Sequence, residues 1–124
     1  MASVEDLTGL GMPAPQARWL GYSPTTVVAA GTSAATATTL GPDVGFVIAD
    51  TATSQTGLKL SASYPIGRPM IVNSPDSDSA IIYPPTDGTI NGGTATTGGL
   101  TLAQNKTAFF MRQTAVKWVA ILTA

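Results

Sequence analysis

The sequence contains no cysteine and no histidine, and charged residues make up only 10% of it. The first absence excludes a disulfide framework and a thiolate zinc site, and leaves the redox compartment open. The second removes the commonest general base and the commonest transition-metal ligand. Lysine and arginine number 6 against 7 acids, with no basic cluster, so net charge is −1. Phosphate binding needs concentrated positive charge, and nucleic acid is therefore not an expected partner. No apolar run approaches the roughly 20 residues of a membrane-spanning helix. The opening Met1-Ala2-Ser3-Val4-Glu5-Asp6 is acidic and no apolar core follows it. The expectation is a chain without a secretory signal, made and assembled in a cytoplasm.

The low charge has a second consequence. An average soluble chain is roughly 25% charged. β-Proteins commonly guard their sheet edges with charge. A chain built instead from Thr, Ser, Ala and Gly is expected to cover its edges and faces with copies of itself or with a partner. At 124 residues it holds one domain with a real core.

What is present reads as short strands. Ala80 to Tyr83, Leu100 to Ala103, Thr107 to Gln113 and Val116 to Leu122 are apolar, β-branched or aromatic runs. Pro84-Pro85, Asp87-Gly88, Asn91-Gly92-Gly93, Gln104-Asn105-Lys106 and Thr114-Ala115 punctuate them. Asn, Asp and Gly there accept positive φ at low cost. Earlier candidates are Thr25 to Ala29, Ala34 to Leu40, Val44 to Ala49, Gly57 to Ser61 and Met70 to Asn73. Within them Phe46 and Ile48 share one side with Val47 on the other, and Leu58 and Leu60 share a face. Thr51 to Thr56 reads as polar loop, and Ser74 to Ser79 as a tight hairpin turn. Strands every 8–12 residues or so predict an all-β fold, a small antiparallel β-sandwich or β-barrel, with no evident internal repeat.

Residues 1–21 differ from the β-domain expected over 22–124. Ser3 is a candidate N-cap, with Glu5 and Asp6 in the first turn. Val4, Leu7 and Leu10 recur at helical spacing until Gly9 and Gly11 weaken the pattern. Pro13 or Pro15 can start a second short helix through Trp19 and Leu20 to Gly21. This short helical arm carries Val4, Leu7, Leu10, Met12, Trp19 and Leu20, too many apolar side chains to bury by itself. They pack on the chain's own β-domain or anchor on another protein.

No constellation carries catalysis. Asp76 and Asp78 flank Ser77 without the terminal bidentate acid of a calcium loop, so a solvated turn is expected. Glu5 and Asp6 are adjacent and do not face each other on a helix. Gly92-Gly93 and Gly98-Gly99 lie between strands and lack the Lys-Ser/Thr of a phosphate loop. The expectation is a non-enzyme with no cofactor and no metal.

Among the aromatics, adjacent Phe109 and Phe110 must point to opposite faces of their strand. That fits a core on one side and a subunit contact on the other. Phe109, Phe110, Arg112 and Trp118 are the candidates for that contact.

Three stretches carry a resemblance: Tyr83 to Gly93 (YPPTDGTINGG), Leu102 to Phe110 (LAQNKTAFF) and Lys117 to Leu122 (KWVAIL). They resemble turns and strand entries of small β-domains in tailed-bacteriophage virion proteins of the capsid decoration (cement) or head-fibre type. Leu7 to Ala14 is similar to the start of small phage structural proteins. The matching segments are 1–20 and 65–122, and they are turns and core positions. The resemblance implies a homotrimer on the capsid outer surface of a virion, bound to the phage major capsid protein and assembled in a host bacterial cytoplasm. The arm of residues 1–20 would clamp the capsid. An alternative from the same resemblance is a tail-fibre or head-spike module that binds a host surface glycan, with an exposed aromatic patch near Tyr64 or Tyr83. Neither carries over a catalytic residue.

Overall fold

The computed structural model describes residues 24–51 and 55–123. The expected helical arm over 1–21 lies outside the described residues. Those described are all-β and include no helix.

The chain alternates between two sheets. β1 (Pro24–Val28), β3 (Phe46–Asp50) and β5 (Pro69–Ser74) lie side by side and parallel in the first. β2 (Thr38–Thr39), β4 (Gly57–Lys59) and β6 (Ala80–Tyr83) do the same in the second. Pro24 pairs with Phe46 and Phe46 with Ile71, while Thr38 pairs with Leu58 and Leu58 with Ile82. Each return to a sheet therefore takes 20 to 25 residues. This is the winding of a short, flattened β-solenoid with three coils.

After β6 the winding reverses. β7 (Thr89–Ile90) is a two-residue strand, and β8 (Leu100–Leu102) lies antiparallel against β6. β9 (Lys106–Arg112) lies antiparallel against β5, and β10 (Lys117–Leu122) returns antiparallel to β9 with β7 on its far side. The completed sheets run β1-β3-β5-β9-β10-β7 and β2-β4-β6-β8. The all-β expectation holds. The antiparallel sandwich or barrel does not, because the first three coils pair in parallel. Ser74 to Ser79 is thus no hairpin turn. It is the corner that carries the chain from one sheet to the other.

The core lies between the sheets. From the first come Val47, Ala49, Met70, Val72, Ala108, Phe110 and Trp118, and from the second Leu58, Ile82 and Leu102, all fully or nearly fully buried. Stacked coils align like with like: Val47, Val72 and Ala108 form one inner row. Close stacking demands small residues at the corners. A Cβ on Gly57 would meet the Ala30 carbonyl oxygen at 2.7 Å and the Ala37 Cβ at 3.0 Å. The backbone ladder continues past the strands, with Leu40 N–H donating to Lys59 O at 2.8 Å and Leu60 N–H to Tyr83 O at 2.9 Å.

Side chains lock distant coils together. Tyr83 Oη donates to Thr32 O at 2.9 Å, from the third coil back to the first. Thr51 N–H donates to Asp76 Oδ2 at 3.0 Å and Thr51 Oγ1 to Asp78 O at 2.9 Å. Asp76 thus ties two corners of the solenoid. The turns use the residues that their chemistry requires: Asp87, Asn91, Gly92 and Asn105 all have positive φ.

Candidate functional site

The first sheet buries one face against the core and turns the other outward. On β9 the outward residues are Phe109 and Met111, and on β10 they are Val119 and Ile121. The register continues the pattern across the sheet. Pro24, Phe46, Ile71, Phe109 and Ile121 form one row over five adjacent strands. Pro69, Met111 and Val119 form a second row beside it. Neither row contains a charged or hydrogen-bonding side chain.

Polar groups border the patch. The next row on the Ile48 side holds Asn73 and Thr107, joined by an Asn73 Nδ2 to Thr107 Oγ1 hydrogen bond of 3.0 Å. Thr123 extends that border, exchanging hydrogen bonds of 2.9 Å with Thr107. Lys117 stands at the opposite end of β10, and Asp50 at the far end of β3. An apolar centre with a polar rim is the anatomy of a protein contact.

The centre is open. Ile121 is 72% exposed, and Phe109, Met111 and Val119 each keep more than two-fifths of their surface in water. Together they form one exposed apolar patch, and large exposed apolar patches rimmed by polar residues mark interaction sites. Pro69, Phe109, Phe110, Met111, Val119 and Ile121 line a hollow of about 150 Å³.

A buried aromatic knot holds this end of the sheet in place. Tyr64 and Trp118 rings lie 5.6 Å apart, and the buried Arg68 guanidinium sits 5.5 Å from the Tyr64 ring centroid. Tyr64 Oη donates to Pro69 O at 2.8 Å, which fixes the start of β5. Arg112 donates to Tyr64 O at 2.7 Å and to Ala115 O at 2.8 Å. It thereby fastens the β9–β10 turn to the bend before β5.

Of the four expected interface residues, the structure sends only Phe109 to the open face. Phe110 and Trp118 are buried core residues, because the alternation of β9 and the pairing of β10 turn them inward. Arg112 is half-buried at the end of β9, and both of its terminal nitrogens donate to the chain's own carbonyls. The expected arm residues Val4, Leu7, Leu10, Met12, Trp19 and Leu20 lie outside the described residues. Sequence reasoning missed Phe46, Ile71, Met111, Val119 and Ile121 as members of one surface. Their signal was continuous apolarity: AFFM on β9 and WVAIL on β10 supply apolar residues to both faces.

Other candidates resolve into structure. Tyr64 and Tyr83 are buried with their hydroxyls hydrogen-bonded, so neither offers an aromatic platform. Among the described residues no group of three or more His, Cys, Asp or Glu gathers. No known protein family, curated protein or solved structure matches the chain.

Proposed function

We propose that this chain is a structural protein of a phage virion, of the capsid decoration type. It acts as a homotrimer whose subunits meet through the outer face of the six-stranded sheet. The observation that carries this reading is the apolar row Phe46–Ile71–Phe109–Ile121, open to water and free of charge. A face of that kind is soluble at working concentration when something covers it.

The segment ahead of Pro24 supplies the contact to the major capsid protein, with Val4, Leu7, Leu10, Met12, Trp19 and Leu20 as its apolar anchors. Burial across capsomer joints contributes about 25 cal/mol per Å² of apolar surface, before association costs. One such segment binds weakly. Three on one trimer raise the effective concentration of the second and third contacts, so modest single contacts become tight. The wound body is suited to the task, since its side chains lock one coil to another.

The test is binding to undecorated heads. Purified protein incubated with them should saturate the lattice, and protein lacking residues 1–20 should remain a folded trimer that does not bind. Saturation by the truncated protein contradicts the anchoring role.

A further inference from the structure

We infer that Asn91–Gly92 is a self-modification site, where the chain converts Asn91 to aspartate or isoaspartate and so unfastens the edge of β10. The reactants are the chain itself and water.

Asn91 closes that edge. β7 pairs with β10 only at Lys117 and Trp118. Beyond them the Asn91 side chain stands in for a strand. Ala120 N–H donates to Asn91 Oδ1 at 2.9 Å, and Asn91 Nδ2 donates to Ala120 O at 3.1 Å.

The same arrangement presents a reactive amide. A backbone nitrogen can attack the side-chain carbonyl carbon of an asparagine just before it and close a five-membered ring. Glycine suits the attacking position because no side chain crowds its nitrogen. Asn91 and Gly92 are both exposed, in a turn where both have positive φ. A Cβ built on Gly92 would meet nothing within 4 Å, so the ring and a water have room. Among the described residues the neighbouring N–H groups are bonded, Asn91's to Trp118 O and Gly93's to Ile90 O, while Gly92's has no acceptor. Negative charge gathers on Oδ1 as the nitrogen adds. Ala120 N–H already donates to that oxygen at 2.9 Å, the distance of an oxyanion donor.

The chain's other two asparagines lack these conditions. Asn73 lies within β5 and precedes Ser74, which is fully buried and paired with Lys106. Asn105 precedes Lys106, whose N–H donates to Ala103 O at 3.1 Å.

The chemistry is a transfer without oxidation or reduction. The Gly92 N–H proton passes to water as the bond from Gly92 N to Asn91 Cγ forms. The Cγ–Nδ2 bond breaks, and Nδ2 takes a proton from water and leaves as ammonia. Water then adds to either carbonyl of the cyclic imide. Opening at one gives aspartate, and opening at the other gives isoaspartate. An ionised carboxylate has no donor for Ala120 O. In isoaspartate the backbone runs through the former side chain, so neither bond to Ala120 survives. Both products leave backbone polar groups unpaired at the end of the sheet, where they offer a template to another strand.

The test uses the full chain without substitution. It is held warm and folded at mildly alkaline pH, and peptide mass spectrometry follows amide-to-acid conversion at the three asparagines. Asn91 is expected to convert at least about tenfold faster than Asn73 or Asn105. Conversion adds a negative charge, so anion exchange isolates the product. Amide hydrogen exchange at Asn91 and Ala120 should be about tenfold faster in that product than in the fresh chain, as local opening requires. Comparable rates at the three asparagines overturn the inference. So does an Asn91 that converts in the denatured chain and stays intact in the folded one. A converted chain whose Asn91 and Ala120 amides exchange as slowly as before overturns it as well.

Discussion

Phe109 and Phe110 share a peptide bond and face opposite ways: Phe109 is 46% exposed and Phe110 is 1% exposed. The strand's alternation divides the two rings between two tasks. Phe110 fills the core opposite Met70, and Phe109 continues an apolar row toward the outside between Ile71 and Ile121. Substitutions at the two positions should therefore separate stability from association.

Phe110→Ala should lower the unfolding free energy by about 3–5 kcal/mol, the range for emptying a buried aromatic site. Phe109→Ser should leave the unfolding midpoint of the isolated subunit nearly unchanged and weaken association instead. Denaturant melts of both variants, paired with light scattering, check this. Equal loss of stability in the two would contradict the division.

Trp118 is a different kind of core residue. Its ring packs on Tyr64, yet its buried Nε1 has no hydrogen-bond partner among the described residues. An unmet buried donor costs about 1–3 kcal/mol. Trp118→Phe removes that cost along with part of the packing, so it should destabilise by only about 1 kcal/mol, well short of the ~3–5 expected for Trp118→Ala. Thermal melts of the two variants provide the comparison.

Arg112 holds the β9–β10 turn through its two bonds to Tyr64 O and Ala115 O. Hydrogen bonds from a charged donor contribute about 1.5–3 kcal/mol each. Lysine cannot reproduce the planar fork that reaches both carbonyls. Arg112→Lys should therefore speed amide exchange at Gln113 and Thr114, whose N–H groups donate to Lys117 O. Unchanged exchange there would show that the turn stands without the fork.

Gly57 tests the winding itself. Its missing Cβ is where the second coil approaches Ala30 and Ala37 of the first. Gly57→Ala should destabilise by about 1–3 kcal/mol through overpacking. Gly67→Ala, on an open turn with positive φ and no atom within 4 Å, should act through backbone strain alone. Melting the two proteins side by side separates steric from conformational cost.

Much of the local structure was legible in the sequence. Ala80 to Tyr83 is a strand with the expected bounds, and the last three expected runs match β8, β9 and β10 within a residue. The positive-φ sites at Asp87, Asn91, Gly92 and Asn105 follow from turn chemistry. Pairing was not legible. A short polar connection such as Ser74 to Ser79 can close a hairpin or turn a solenoid corner, and local pattern is the same for both. The coils also share no repeated motif: inner positions need only small or branched apolar residues, which leaves Val47, Val72 and Ala108 in one row without a signature. The open face was half legible. Two adjacent phenylalanines announce an outward ring, but only the register gathers Phe46, Ile71 and Ile121 around it. The two-residue β7 escaped notice because it is held by Asn91, whose side chain bonds both backbone groups of Ala120 at 2.9 and 3.1 Å.

The central claim is that the outer sheet face is covered by copies of this chain. The most direct measurement is the solution mass by light scattering on a size-exclusion column, for the full chain and for Phe109→Ser/Ile121→Ser. The account predicts about three times the 12.6 kDa subunit mass for the first and a shift toward one subunit for the second. A full chain that stays at 12.6 kDa at every concentration, or a double variant that keeps the trimer mass, would contradict it.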